Sequence, residues 1–235
     1  MATQDEFLTA YGRADRSRRW VRGNVVASLD GAATHDGVAG PLGDAEDQLL
    51  LRTLRQLADV VVVGAGTVRV EGYGGLGLDD AAVTWRRDRG IPDLPRLAIV
   101  SSALALEPDA EVFRAPGPRP LLLTHGDAPP ARRTALEEVA EIVDCGEHRV
   151  EPARLVAALE ERGMHQILTE GGPRLLGTLV EADVLDELCL SLSPLLEAGT
   201  APRIAVSGRA VSRRMRLGHV LHGEEMLFLR YERRR

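Results

Sequence analysis

Residues 60–63 are four consecutive valines, preceded by Asp59 and followed by Gly64. β-Branched side chains at every position leave no polar face, so the segment suits a strand covered on both sides. Such a strand needs helices above and below it, which commits the chain to a layered α/β sheet. Residues 21–28, 97–101, 121–124, 142–144 and 166–169 repeat the pattern as short apolar runs. Helical periodicity fills several of the intervals. Asp44 can cap a helix reaching about Leu57, with Leu50, Leu54 and Leu57 on one face. Residues 151–162 carry Leu155, Val156 and Leu159 and stop at Gly163, while residues 173–182 carry Leu175, Leu176, Leu179 and Val180. The last third changes character: residues 186–193 alternate, and 213–221 and 226–232 read as a hairpin joined by residues 222–224. The expectation is a mostly parallel central sheet flanked by helices, ending in an antiparallel C-terminal hairpin. Residues 1–19 read as an N-terminal extension and 20–235 as one domain.

Composition narrows the chemistry. A net charge of −6 argues against a dedicated nucleic-acid binder. All 29 basic residues are arginine, so phosphate-loop NTPases, Schiff-base enzymes and lysine general bases are excluded. The six histidines show no HExxH or similar spacing, and no metal centre is expected. No apolar run approaches the ~18 residues needed to span a membrane. The first residues lack the charged-then-apolar order of a secretory signal, so a cytoplasmic protein is expected, with Cys145 and Cys189 as reduced buried thiols.

Ligands of open α/β sheets gather at the carboxyl ends of the strands, and four of those ends carry small or hydroxyl-bearing residues. They are Ser28, Leu29, Asp30 and Gly31; Gly64, Gly66, Thr67, Val68 and Arg69; Ser101 and Ser102; and Glu170, Gly171, Gly172, Pro173 and Leu175. In the last, a strand opens through two glycines into a helix amino terminus, where backbone N–H groups and the helix dipole suit an anion such as a dinucleotide pyrophosphate. Pro173 fits the first helical position because its missing N–H costs nothing there. Each end, taken alone, is equally an ordinary turn: Asp30-Gly31 is a common turn dipeptide and Thr67 can cap a helix. The Gly64 loop lacks the third glycine of a Rossmann fingerprint. Arg69, Thr67 and the serine pair instead suit a 2′-phosphate, which favours NADPH over NADH.

With VASLDG at 26–31, GAGTV at 64–68, the serine pair, TEGGPRLLGTLVEADVLDEL at 169–188 and SPLL at 193–196, the chain resembles the riboflavin-biosynthesis pyrimidine reductase family over about residues 20–232. That family is the carboxyl-terminal reductase domain of the bifunctional deaminase-reductase. The resemblance implies a dihydrofolate-reductase-like fold, NADPH as cofactor and a homodimer in which the terminal strands are a plausible interface. It also implies hydride transfer to 5-amino-6-(5-phosphoribosylamino)uracil or a related heterocycle. Glu170 to Pro173 and Leu175 would hold the pyrophosphate and nicotinamide side, Gly64, Gly66, Thr67 and Val68 the second cofactor loop, and Ser101 with Ser102 the adenosine 2′-phosphate. Neither HxE nor PCxxC of the zinc deaminase half is present, so a stand-alone reductase is expected.

Two departures mark the substrate side. Asn24 stands where many members have lysine, and Glu71, Gly72 and Tyr73 stand where a pair of aspartates and a proline are frequent. Asn24, Ser28, Leu29, Gly31 and Glu71 are therefore the candidate substrate contacts, with Asp30 and Asp44 as candidate catalytic acids. Asp44 is equally a helix cap. Arg86, Arg87 and Arg89, in the polar insertion 72–95, are either ligands of a substrate phosphate or a solvated loop. A reductase of a pterin such as dihydrofolate, and a non-catalytic nucleotide-binding protein, remain as alternative functions.

Overall fold

The computed structural model describes residues 2–234. In chain order the elements are α1 (Gln4–Tyr11), β1 (Trp20–Ala27), a 3-10 turn (Gly40–Leu42), α2 (Ala45–Leu57), β2 (Val60–Gly64), α3 (Ala65–Glu71), α4 (Asp80–Arg87), β3 (Arg96–Val100), α5 (Glu111–Arg114), β4 (Leu121–Thr124), α6 (Pro130–Leu136), β5 (Glu141–Asp144), α7 (Pro152–Glu160), β6 (Gln166–Thr169), α8 (Pro173–Glu181), β7 (Glu187–Leu192), β8 (Met215–His222) and β9 (Leu227–Arg233). The strands form one sheet in the order β5-β4-β3-β2-β6-β1-β7-β9-β8. Pairings from β5 through β7 are parallel, and β9 and β8 close the sheet antiparallel, as the changed pattern of the last third implied.

The valine run behaves as its composition demands. Val61 and Val63 enter the core beneath α1 and α2, with Leu50, Leu54 and Phe228. Val60 and Val62 enter the opposite core beneath α7 and α8, with Leu155, Leu159, Leu176 and Leu179. All four are buried, and each contributes roughly 1.5–3 kcal/mol of apolar burial. The N-terminal residues join the first of these cores. Thr3 and Glu6 form a reciprocal cap on α1. Phe7 of that helix then meets Phe228 edge-to-face at 5.2 Å.

Segment 72–95 is an ordered helix-bearing connection. Asp79 caps α4, and Arg86 is fully buried. Its guanidinium donates to the carbonyls of Gln56, Ala58 and Pro92, each at 2.7 Å. It thereby satisfies carbonyls that the end of α2 leaves without helical partners. Among the described residues no helix is long and apolar enough to cross a membrane.

Strand order fixes where a ligand can enter. The chain progresses outward from β2 through β3, β4 and β5, then returns to insert β6 between β2 and β1. The carboxyl ends of β2, β6 and β1 therefore lie side by side where the winding reverses, which is the position at which such sheets bind ligands.

Candidate functional site

A cleft of about 1210 Å³ opens over that edge. Its walls are the two glycine turns, which pack directly on each other. The Gly64 N–H donates to the Gly171 carbonyl at 2.8 Å. Gly171 has φ +81, a conformation that disfavours any side chain, and a Cβ at Gly172 would lie 2.7 Å from Thr67 Oγ1. Only backbone fits between α3 and α8, so both helix amino termini face the cleft. Gly66, Thr67, Arg69, Ser101, Ser102, Glu170, Pro173 and Leu175 line it as well. The sequence-derived cofactor residues are therefore brought together, with the exception of Val68, which is buried in the core behind the loop. The exposed Arg69 donates to the Ala105 carbonyl at 2.9 Å, which orients it beside the serine pair.

One ion pair shapes the middle of the cleft. Arg55 of α2 grips both carboxylate oxygens of Glu170 at 2.7 and 2.8 Å. The same guanidinium donates to Tyr73 Oη at 3.1 Å and to the Leu76 carbonyl at 2.8 Å. It ties the glycine-rich segment after α3 to the end of β6. Glu71, also on the wall, accepts from the Ala39 N–H at 2.9 Å and holds the loop 34–43 over the opening.

The acids expected from sequence are elsewhere. Asp30 is solvent-exposed and is not part of the cleft lining. Its carboxylate accepts from Ser28 Oγ at 2.5 Å and from the N–H groups of Glu197 and Ala198 at 3.2 and 2.8 Å. Ser28 and those amides hold its pKa down at about 2. In this structure Asp30 fastens the turn after β1, and Ser28, Leu29 and Gly31 stay with it outside the cleft lining. Asp44 takes the other of its two expected roles here: it caps α2, accepting the Asp47 N–H at 2.8 Å, and does not line the cleft. Arg86 is spent on α2, Arg87 pairs with Asp93 at 2.6 Å, and Arg89 lies 4.0 Å over the Trp85 ring. None of these three arginines lines the cleft.

Asn24 does line it. So does Asp47, three residues after the α2 cap and not among the residues expected at the site. Both are nearly enclosed, with relative exposures of 8% and 7%. Burial raises the Asp47 carboxyl above its ordinary range, and the Asp44 charge adds to the effect. Ser191 sits beside it but outside good hydrogen-bond geometry and offsets only part of that rise. Among the described residues no arginine pairs with Asp47. Position alone carried a signal: Asp47 falls on the same helical stripe as Leu50, Leu54 and Leu57, where an unpaired carboxylate is out of place. Tyr73, one of the departures noted in the sequence, borders the cleft too, as do Arg174 and the segment around Pro202 and Ile204, which carried no local sequence signal.

The family model described as RibD C-terminal domain matches residues 19–229. A 2,5-diamino-6-ribosylamino-4(3H)-pyrimidinone 5′-phosphate reductase from Methanothermobacter thermautotrophicus is 27% identical over 195 residues, covering 83% of this chain and 86% of the relative. The protein of the same name from Archaeoglobus fulgidus is 26% identical over 202 residues, covering 85% and 91%. Among solved structures, a pyrimidine reductase-like protein from Corynebacterium diphtheriae superposes with a TM-score of 0.86 at 26% identity, with each chain covered in full.

Proposed function

The chain belongs to the RibD C-terminal domain family, and from that premise we propose that it is an NADPH-dependent reductase of the riboflavin-biosynthesis type, acting on a phosphorylated ribosylaminopyrimidine. One observation carries the reading: the cleft wall is a cradle that a single Cβ would fill. The backbone at Gly171 and Gly172, Thr67 Oγ1 and the amino termini of α3 and α8 converge there with no side chain between them. Such a cradle fits a pyrophosphate. Ser101, Ser102 and Arg69, next along the edge, suit a 2′-phosphate, which supports NADPH over NADH.

When bound, the cofactor supplies the hydride. The chain's own residues position and enclose. Arg55 fixes Glu170 beside the glycine turn, and Glu71 holds the loop 34–43 across the opening, limiting water at the reacting centre. Arg174, exposed on the first turn of α8, is placed for a substrate phosphate.

Steady-state NADPH oxidation with phosphorylated ribosylaminopyrimidines and with dihydrofolate tests this function. Turnover of a ribosylaminopyrimidine supports it, turnover of dihydrofolate alone replaces it with a pterin reductase, and failure to bind NADPH at millimolar concentration overturns it. A homodimer through the β8 edge is part of the same proposal, supported by Leu217 and Val220 standing exposed on that edge strand. Light scattering of the purified protein reads the mass directly. A reducing cytoplasm suits the free thiols Cys145 and Cys189.

A further inference from the structure

On the face of the sheet beneath α2, strands β1 and β7 place Asn24 opposite Cys189 and Val26 opposite Ser191. Three buried polar groups lie on this side of the sheet: Ser191 beside the Asp47 carboxylate at the amino end of the helix, and Asn24 two positions before Val26 on the neighbouring strand. Asn24 Oδ1 and Ser191 Oγ have no hydrogen-bond partner, and Asp47 has no cation. Its neighbour on α2 is a contrast. Glu46 is as deeply buried, yet it accepts the backbone N–H groups of Ala2 at 2.5 Å and Glu224 at 2.8 Å. Gly43 makes room for the Asp47 carboxylate itself, since a Cβ there would lie 2.5 Å from Asp47 Oδ2. Buried polar atoms without partners are costly, and both Asp47 and Asn24 border the cleft, so the missing partners are those a ligand brings.

The chemistry of the missing partner follows from what is present. An ionised carboxylate only accepts, and it accepts best from two parallel N–H donors. Asn24 Oδ1 is a further acceptor. On the edge remote from the sugar, a 2,5-diaminopyrimidinone presents a 2-amino group beside a ring N–H, which are two adjacent donors. The corresponding uracil presents a carbonyl, a ring N–H and a second carbonyl, so one acceptor would face the carboxylate. We propose that Asp47 and Asn24 are the recognition site for the pyrimidine edge remote from the sugar, and that they select the 2-amino substrate over its 2-oxo counterpart. Reduction by this protein then precedes the reaction that removes the 2-amino group by hydrolysis. The inference rests on the reductase reading above, and it goes against the uracil substrate that the family resemblance first suggested.

The test measures kcat/KM for the two phosphorylated ribosylaminopyrimidines that differ only at position 2, in the wild-type protein and in Asp47→Asn. The wild-type protein should prefer the 2-amino compound by about tenfold to a hundredfold, the discrimination typical of a bidentate contact. In Asp47→Asn, whose amide offers one acceptor and one donor, the ratio should collapse towards one while NADPH binding is kept. If neither compound is turned over by the wild-type protein, the reductase reading itself fails. If both are turned over without preference, or the 2-oxo compound is favoured, the selectivity proposal is overturned by the wild-type measurement alone, whatever the folding of the variant. A preference that survives unchanged in folded Asp47→Asn removes Asp47 from the site.

Discussion

Glu187 and Asp47 are two carboxylates buried on the same face of the same sheet, and their surroundings are opposite. Glu187, at the amino end of β7, accepts from Arg22 at 2.6 Å, Trp20 Nε1 at 2.8 Å and Arg230 at 3.0 Å. Burial works to raise its pKa, but the charges of Arg22 and Arg230 outweigh burial and hold it low. Asp47, further along towards the carboxyl edge, has burial that Ser191 offsets only in part, and its pKa is raised. At the amino end the buried carboxylate is thus matched by cations, and at the carboxyl end the buried carboxylate has none. The difference separates a group that fixes the fold from one that waits for a ligand.

The largest test of that difference is Glu187→Gln. It leaves the buried Arg22 without its counter-charge and Arg230 with only Glu232 at 3.2 Å, and urea unfolding should report a loss of about 3–5 kcal/mol. A loss below about 1 kcal/mol would make the two carboxylates equivalent and break the comparison. Next comes Gly171→Val on the carboxyl edge, where a β-branched residue must adopt φ +81. The strain costs about 1–2 kcal/mol, and NADPH affinity, read by fluorescence titration, should fall with it. Unchanged NADPH binding in the folded variant would remove the glycine turn from the cofactor site.

Asp47→Asn should move stability the other way, by about 0.5–2 kcal/mol in favour of the ligand-free protein, as is usual when a strained functional group is neutralised. The pH dependence gives the sign. The folded state holds the Asp47 proton more tightly than the unfolded chain, so the penalty is present at neutral pH and fades as pH falls through the raised pKa towards the ordinary aspartate value of about 4. Glu187 does the reverse: its contribution is present above the ordinary glutamate value of about 4.3 and is lost as pH falls through its lowered pKa. Thermal melts of both variants from neutral to acid pH should therefore show the Asn variant's advantage shrinking and the Gln variant's deficit shrinking. Smallest of all is Asp30→Asn, which should leave kcat and KM as they are. A collapse of kcat would return Asp30 to the catalytic machinery.

The parts legible from sequence were those with local causes. Four valines sufficed to require a strand buried on both faces, and the glycines of the TEGGP turn stand where a Cβ at Gly172 would lie 2.7 Å from Thr67 Oγ1. The parts that were not legible depend on distance along the chain. Nothing near Arg22 points to Glu187, 165 residues away. Arg86 looked like a loop cation because the carbonyls it satisfies at the end of α2 lie some 30 residues earlier. Asp30 and Asp44 drew notice as acids at strand and helix ends, yet that is where carboxylates fasten turns and cap helices. Asp47 was hidden by its nearness to a cap, although its place on the Leu50 and Leu54 stripe already set it against the core.

The central claim is that the unpartnered polar groups at the carboxyl edge are the ligand site. A crystal structure of the protein with NADP⁺ and the phosphorylated 2,5-diaminopyrimidinone tests it most directly. The account predicts the pyrophosphate against the Gly171 and Gly172 backbone and the 2-amino and ring N–H groups within about 3 Å of the Asp47 carboxylate. A pyrimidine bound elsewhere, with Asp47 and Asn24 still without partners, would contradict it.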